Sequence, residues 1–272
     1  MLLAREKSWA SWRMDVEGST TSDARQSAAE ASATMIRRRA ALFLVIAVAL
    51  SRAGAAQTAD RLRTDWAYLE RYRSENAALG APRRGERRVV FMGNSITDGW
   101  AKHFAVMFPG KPYIGRGIGG QTTPQMLVRF RQDVVALAPA VVVILAGTND
   151  IAGNTGPSTL EMIQDNIASM SELARANGIA VVLSSVLPVY DYPWRPGLEP
   201  AGKIVALNAW IKRYAATHGA VYVDYHSAMK DQRDGIRADL AYDGVHPNEA
   251  GYRVMAGLVE RGIAEALRQS PP

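Results

Sequence analysis

The chain is predicted to fold as a three-layer α/β/α sandwich around a mainly parallel sheet. Three observations carry that expectation. Short apolar, mostly β-branched runs at 89–92, 141–146, 180–185 and 220–224 have the composition of strands buried on both faces. Longer stretches with helical spacing alternate with them, as in strand-helix-strand units. Four polar clusters, Gly93-Asn94-Ser95, Gly117-Ile118-Gly119-Gly120, Gly147-Thr148-Asn149-Asp150 and Asp243-Gly244-Val245-His246, each fall near a strand end or on a loop. Open α/β sheets bind their ligands at the carboxyl ends of the strands, so clusters far apart in sequence can converge there.

Taken in order, the N-terminus reads as a processing segment. Ile36-Arg37-Arg38-Arg39 precedes an apolar run over 40–50, followed by the small residues Ala53-Gly54-Ala55-Ala56. A basic region, about ten apolar residues and an A-x-A-like site describe a secretory signal peptide over 35–56, whereas a membrane span needs roughly 20 apolar residues. Cleavage is expected after Ala55 or Ala56, with a retained anchor as the alternative. Met35 is a plausible start, which makes residues 1–34 an upstream extension outside the natural protein. The mature domain is then 57–272, exported to the periplasm or beyond, with no stable membrane insertion once the leader is removed.

Composition narrows the chemistry. The 272 residues are 48% hydrophobic and 21% charged, an ordinary globular balance with length for one large core. No cysteine is present, so a thiolate nucleophile, a disulfide framework and Cys-based metal sites are excluded. The formal net charge of +6 is concentrated at the front, because positions 1–56 hold eight basic and five acidic residues; the remainder carries 24 and 21, a net +3. Arg83-Arg84-Gly85-Glu86-Arg87-Arg88 is the one basic cluster after that, without interleaved aromatics or a binding module, and reads as a solvated linker, not a nucleic-acid surface.

Beyond residue 57, Leu62, Trp66, Leu69 and Tyr72 have helical spacing, predicting a helix over 62–79 that stops at Gly80 with Pro82 beyond. A shorter strand is expected at Tyr113-Ile114, and helices at 122–138, 158–177, 201–218 and 248–268. The stretch 188–200, bounded by prolines, reads as a long functional loop.

Each cluster has a chemical and a plain reading. Ser95 ends the first strand and is a possible nucleophile, although a Ser hydroxyl needs an adjacent base and Ser is also a common helix N-cap. The second glycine of the G-x-S-x-G elbow is missing, which weakens an α/β-hydrolase assignment. Gly115, Gly117 and Gly120 satisfy G-x-G-x-x-G, yet the strand before them is short and no acidic residue follows at the expected distance; close approach of a backbone N–H to a ligand oxygen is the better use of Gly119-Gly120, with a plain tight turn as the alternative. Asn149 can donate its amide to an oxyanion, or can simply make a turn with Asp150. Asp243 and His246, three apart, fit one compact turn in which the carboxylate fixes the imidazole, or else a capping Asp beside an incidental His. His103, His218 and His226 lack such context and read as structural.

Over about 88–268 these ordered motifs resemble the SGNH subgroup of the GDSL esterase/lipase family. The resemblance implies a flavodoxin-like sheet, with Ser95 as nucleophile, His246 as general base, Asp243 as its orienter, and the Ser95 N–H, Gly120 N–H and Asn149 side chain as oxyanion donors. It implies hydrolysis of esters through an acyl-enzyme, without metal or cofactor. Two positions depart from the pattern: the usual Gly-Asp-Ser reads Gly93-Asn94-Ser95, and Gly115 stands where relatives often carry Asn. Trp100, Tyr190, Tyr192, Trp194 and Tyr242 offer aromatic faces that either stack on sugar rings or cover the core. A carbohydrate acetylesterase acting on small or glycan esters is the preferred substrate reading. The runner-up is a lysophospholipase, thioesterase or aryl esterase of the same mechanism; a non-catalytic carbohydrate-binding module is the alternative of another class.

Overall fold

The computed structural model describes residues 63–269. The predicted leader and the stretch ahead of it lie outside those residues. The chain divides between Thr64 and Asp65, and all strands and helices named here belong to the second part. Its sheet has five strands: β1 (Val89–Gly93), β2 (Tyr113–Gly117), β3 (Val141–Leu145), β4 (Ala180–Ser184) and β5 (Val221–Val223). Each pairs in parallel with its neighbour, in the order β2-β1-β3-β4-β5. This is the flavodoxin-like order, in which the winding direction reverses between β1 and β3 and opens a crevice at their carboxyl ends.

The helices are α1 (Arg73–Leu79), α2 (Ser95–Ala101), α3 (Phe104–Met107), α4 (Thr123–Asp133), α5 (Thr148–Ile151), α6 (Leu160–Ala176), α7 (Ala201–Thr217), α8 (Tyr225–Met229) and α9 (Glu249–Gln269). Strands buried on both faces feed alternate side chains to two cores. Val90, Met92, Val142 and Ile144 meet Met126 and Phe130 of α4, Ile163 and Ile167 of α6, and Leu207 of α7. Val89, Phe91, Val141 and Val143 meet Trp100 of α2, Phe104 of α3 and Met255, Val259 and Ile263 of α9. At about 1.5–3 kcal/mol for each large apolar side chain buried, these two layers fix which strand ends lie side by side.

Three expectations about elements change. The helix expected over 62–79 is helical at 63–64, broken over 65–72 and helical again from Arg73, because the Asp65 carboxylate accepts the Leu69 and Glu70 N–H groups and Tyr68 adopts φ 55°. A short acidic side chain has there captured donors that a helix would use. β2 is longer than Tyr113-Ile114 and pairs along its whole length with β1, from Val89–Tyr113 to Gly93–Gly117. Its glycines hide the strand in the sequence but serve packing, since a Cβ on Gly115 would stand 2.3 Å from the Ala101 Cβ. The helix expected over 122–138 is α4 plus a 3-10 turn, Val135–Leu137, ended by left-handed Ala138 before Pro139.

Candidate active site

β1 delivers Asn94 and Ser95 to the crevice. The Asn94 side chain caps α2 by accepting the Ile96 N–H at 3.0 Å, which leaves Ser95 as the first helical residue with its own N–H unpaired by the helix. β3 delivers α5, whose residues Thr148 to Asp150 are buried. The loop before α9 delivers Asp243 and His246.

These segments meet. Ser95 Oγ lies 2.9 Å from His246 Nε2, and His246 Nδ1 lies 2.7 Å from Asp243 Oδ2. The other Asp243 oxygen accepts the backbone N–H groups of His246 at 2.8 Å and Val245 at 3.0 Å, so the turn is closed by the same carboxylate that holds the ring. Partial burial opposes the Asp243 charge, but the hydrogen bonds from the His246 backbone and ring and from Val245 outweigh it and hold the carboxyl below the usual carboxylate range. With an ionised acceptor at Nδ1, the proton belongs on Nδ1, and Nε2 is left to accept from the Ser95 hydroxyl.

The glycine loop closes on the same point. A Cβ on Gly119 would stand 3.9 Å from the Ser95 Cβ, and Gly120 has φ 76°, a left-handed conformation that favours glycine. Asn149 joins it by donating one amide hydrogen to the Gln121 carbonyl at 2.9 Å, and the second hydrogen of that amide stays available. A hydroxyl beside an oriented imidazole, with a glycine loop close to its own Cβ, is equipped for attack on a carbonyl.

Two residues expected on a substrate surface are not there. Trp100 is 1% exposed, stacked on Tyr252 at 5.9 Å and edge-on to Phe91 at 5.5 Å. Its spacing of four from both Ile96 and Phe104 was the sequence signal for that buried face. Tyr192 is fully buried, and its hydroxyl donates to the Thr148 carbonyl at 2.9 Å. Folding the 188–200 loop over α5 supplies that partner, which the sequence does not show. Tyr190 is exposed, but the Arg233 guanidinium covers its ring at 4.5 Å. Trp194 is partly exposed and its ring lies 6.1 Å from that of His246. Its indole N–H donates to Asn154 Oδ1 at 3.3 Å, and Asn154 Nδ2 donates to the Gly120 carbonyl at 3.2 Å. Asn154 is thus a member of the site that sequence reasoning missed, because a polar loop residue carries no local mark of its partners. Among the other histidines, His218 stacks on Tyr214 at 3.9 Å and His226 is buried, in keeping with structural roles.

Fold and site together define an α/β/α hydrolase whose Ser95, at the end of β1, meets His246 and Asp243 of one turn at the switch point of the sheet. Residues 91–254 match the GDSL-like lipase/acylhydrolase family model, more than half of the chain, and the chain belongs to that family. Membership makes it a carboxylic ester hydrolase. A solved GDSL-like lipase from Bacteroides thetaiotaomicron is 47% identical, with a TM-score of 0.72 over 74% of this chain and 100% of that one. An acetylxylan esterase of Xylanibacter ruminicola is 24% identical over 68% of this chain, and the match spans only 45% of that relative's length. Esterase TesA of Pseudomonas aeruginosa is 27% identical over 60% of this chain and 77% of its own length.

Proposed function

We propose that the protein is an exported serine esterase that removes short acyl groups, acetyl above all, from carbohydrates. The observation that carries the mechanism is the continuous hydrogen-bonded series from Ser95 through His246 to Asp243, at 2.9 and 2.7 Å. Ser95 Oγ attacks the ester carbonyl while His246 Nε2 accepts its proton. The carbonyl oxygen, now an oxyanion, receives hydrogen bonds from the Ser95 N–H, the Gly120 N–H and the Asn149 amide; donors of this kind, held in place beforehand, are worth on the order of 3–4 kcal/mol each. His246 then gives the proton to the leaving alkoxide, and water repeats the sequence on the acyl-enzyme to release the acid.

The position of the alcohol follows from the same proton transfer. His246 must reach the leaving oxygen, so the alcohol part of the ester sits on the His246 side of the carbonyl. Trp194 flanks that side, and an indole face beside a leaving group suits a sugar ring. The acetylxylan esterase of Xylanibacter ruminicola, and another from Geobacillus stearothermophilus that is 23% identical, support the acetyl-glycan reading.

The test is hydrolysis of 4-nitrophenyl acetate against 4-nitrophenyl octanoate by the purified protein and by Ser95→Ala. Acetate turnover that falls steeply toward octanoate and vanishes in the variant is expected. Undiminished hydrolysis by Ser95→Ala would overturn the nucleophile, and a preference for octanoate would move the substrate to lipid or thioester chains.

A further inference from the structure

Arg129 is fully buried in the middle of α4, where a cation requires an explanation. A buried ion pair with Asp133, at 2.9 Å, is weak evidence for stability by itself, since well-packed apolar side chains of similar volume do as well or better. The remaining contacts of the guanidinium indicate another use. Nε donates to Gln121 Oε1 at 2.6 Å, and Nη2 donates to the Gly93 carbonyl at 3.0 Å and the Arg116 carbonyl at 2.9 Å.

Those acceptors lie on the segments that carry the three oxyanion donors. Gly93 ends β1, two residues before the Ser95 N–H. Arg116 stands in β2 directly ahead of the glycine loop, and Gln121 follows Gly120 in the chain. Gln121 is itself buried and tied down: its side-chain amide donates to the Ala67 carbonyl at 2.7 Å, and its backbone carbonyl accepts the Asn149 amide. We propose that Arg129 is the positioning residue of the oxyanion hole, a rigid planar fork that sets the Ser95, Gly120 and Asn149 donors relative to one another without touching substrate. A guanidinium suits the task because its donors point in fixed directions, which a lysine ammonium cannot copy.

This rests on the Ser95 reading of the site, and the test separates the two. Arg129→Lys keeps the charge and loses the fork; Gln121→Met removes one acceptor and keeps the cation with Asp133, so it tests the idea even if Arg129→Lys does not fold. Turnover of 4-nitrophenyl acetate is measured per active site, with sites counted by titration to completion with a phosphonate ester. The expected result is a fall in kcat of about ten- to hundredfold with KM held within about threefold, the signature of donors displaced by fractions of an ångström in the transition state. Ser95-dependent turnover with kcat per site unchanged in the folded variants, or a loss confined to KM, removes the role of Arg129 alone. Full turnover by Ser95→Ala removes the site reading and this role with it.

Discussion

At the residue scale, two carboxylates show how differently the same group is used. Asp243 is partly exposed and held ionised by donors from its own turn, and its task is to keep His246 in one tautomer and orientation. Asp243→Asn presents an amide where the ring needs an acceptor, so kcat is expected to fall by about 10³- to 10⁴-fold while the fold persists; a fall of less than tenfold would show that His246 orients itself. Asp150 is buried beneath α4, and desolvation raises its pKa to about 6 despite hydrogen bonds from the Thr123 N–H and hydroxyl. An acid whose folded pKa lies above its unfolded value releases its proton first in the unfolded state. Stability is therefore complete below about pH 4, declines as pH rises to about 6, and is lower by roughly 3 kcal/mol beyond. Asp150→Asn abolishes that dependence, and the difference in unfolding free energy between wild type and variant, measured by urea titration across pH 4–7, reads it directly. A difference constant over the window would mean that Asp150 does not titrate there.

At the scale of elements, the site depends on how closely α2 lies against the end of β2. A Cβ on Gly117 would stand 2.2 Å from the Asp98 nitrogen and 2.6 Å from the Asn94 oxygen, both backbone atoms that cannot swing aside. Gly117→Ala is therefore expected to cost about 1–3 kcal/mol of stability and to lower kcat with it, because the first turn of α2 carries Ser95. Thermal unfolding beside steady-state kinetics checks both halves, and an unchanged kcat would show that the turn adjusts without moving the nucleophile. The strands and long helices were legible in the sequence because burial on both faces and helical periodicity are local patterns. β2 was read too short because its glycines have low strand propensity, a property overridden by full pairing with β1. Trp100 was legible in principle through its spacing from Ile96 and Phe104, whereas the burial of Tyr192 depends on a distant partner, Thr148.

At the scale of the whole molecule, the motifs predicted from the chain are brought together by sheet order. β1 and β3 are adjacent, so Ser95 and Asn149 follow neighbouring strand ends, and the loop before α9 returns His246 to them. Among the described residues no helix is long and apolar enough to cross a membrane. Export is proposed to follow from the leader over 35–56, and N-terminal sequencing of protein secreted by a host cell is expected to begin at Ala56 or Gln57. An intact leader on that protein would make it an anchor instead.

The sequence by itself determined the fold class and the chemistry-bearing clusters, since both rest on patterns within a few residues: β-branched runs, helical spacing, glycines and polar groups at strand ends. Tertiary structure decided which side chains face the crevice and which hold it in shape. Arg129 and Asp133 look in the chain like an i,i+4 surface pair, and only the packing of α4 against β1 and β2 puts the guanidinium on the Gly93 and Arg116 carbonyls. Trp194 and Asn154 likewise acquire their meaning from Gly120 and His246. The reason is physical: local patterns record the conformation of a segment, whereas a hydrogen bond between segments depends on a distance that exists only once the sheet has formed.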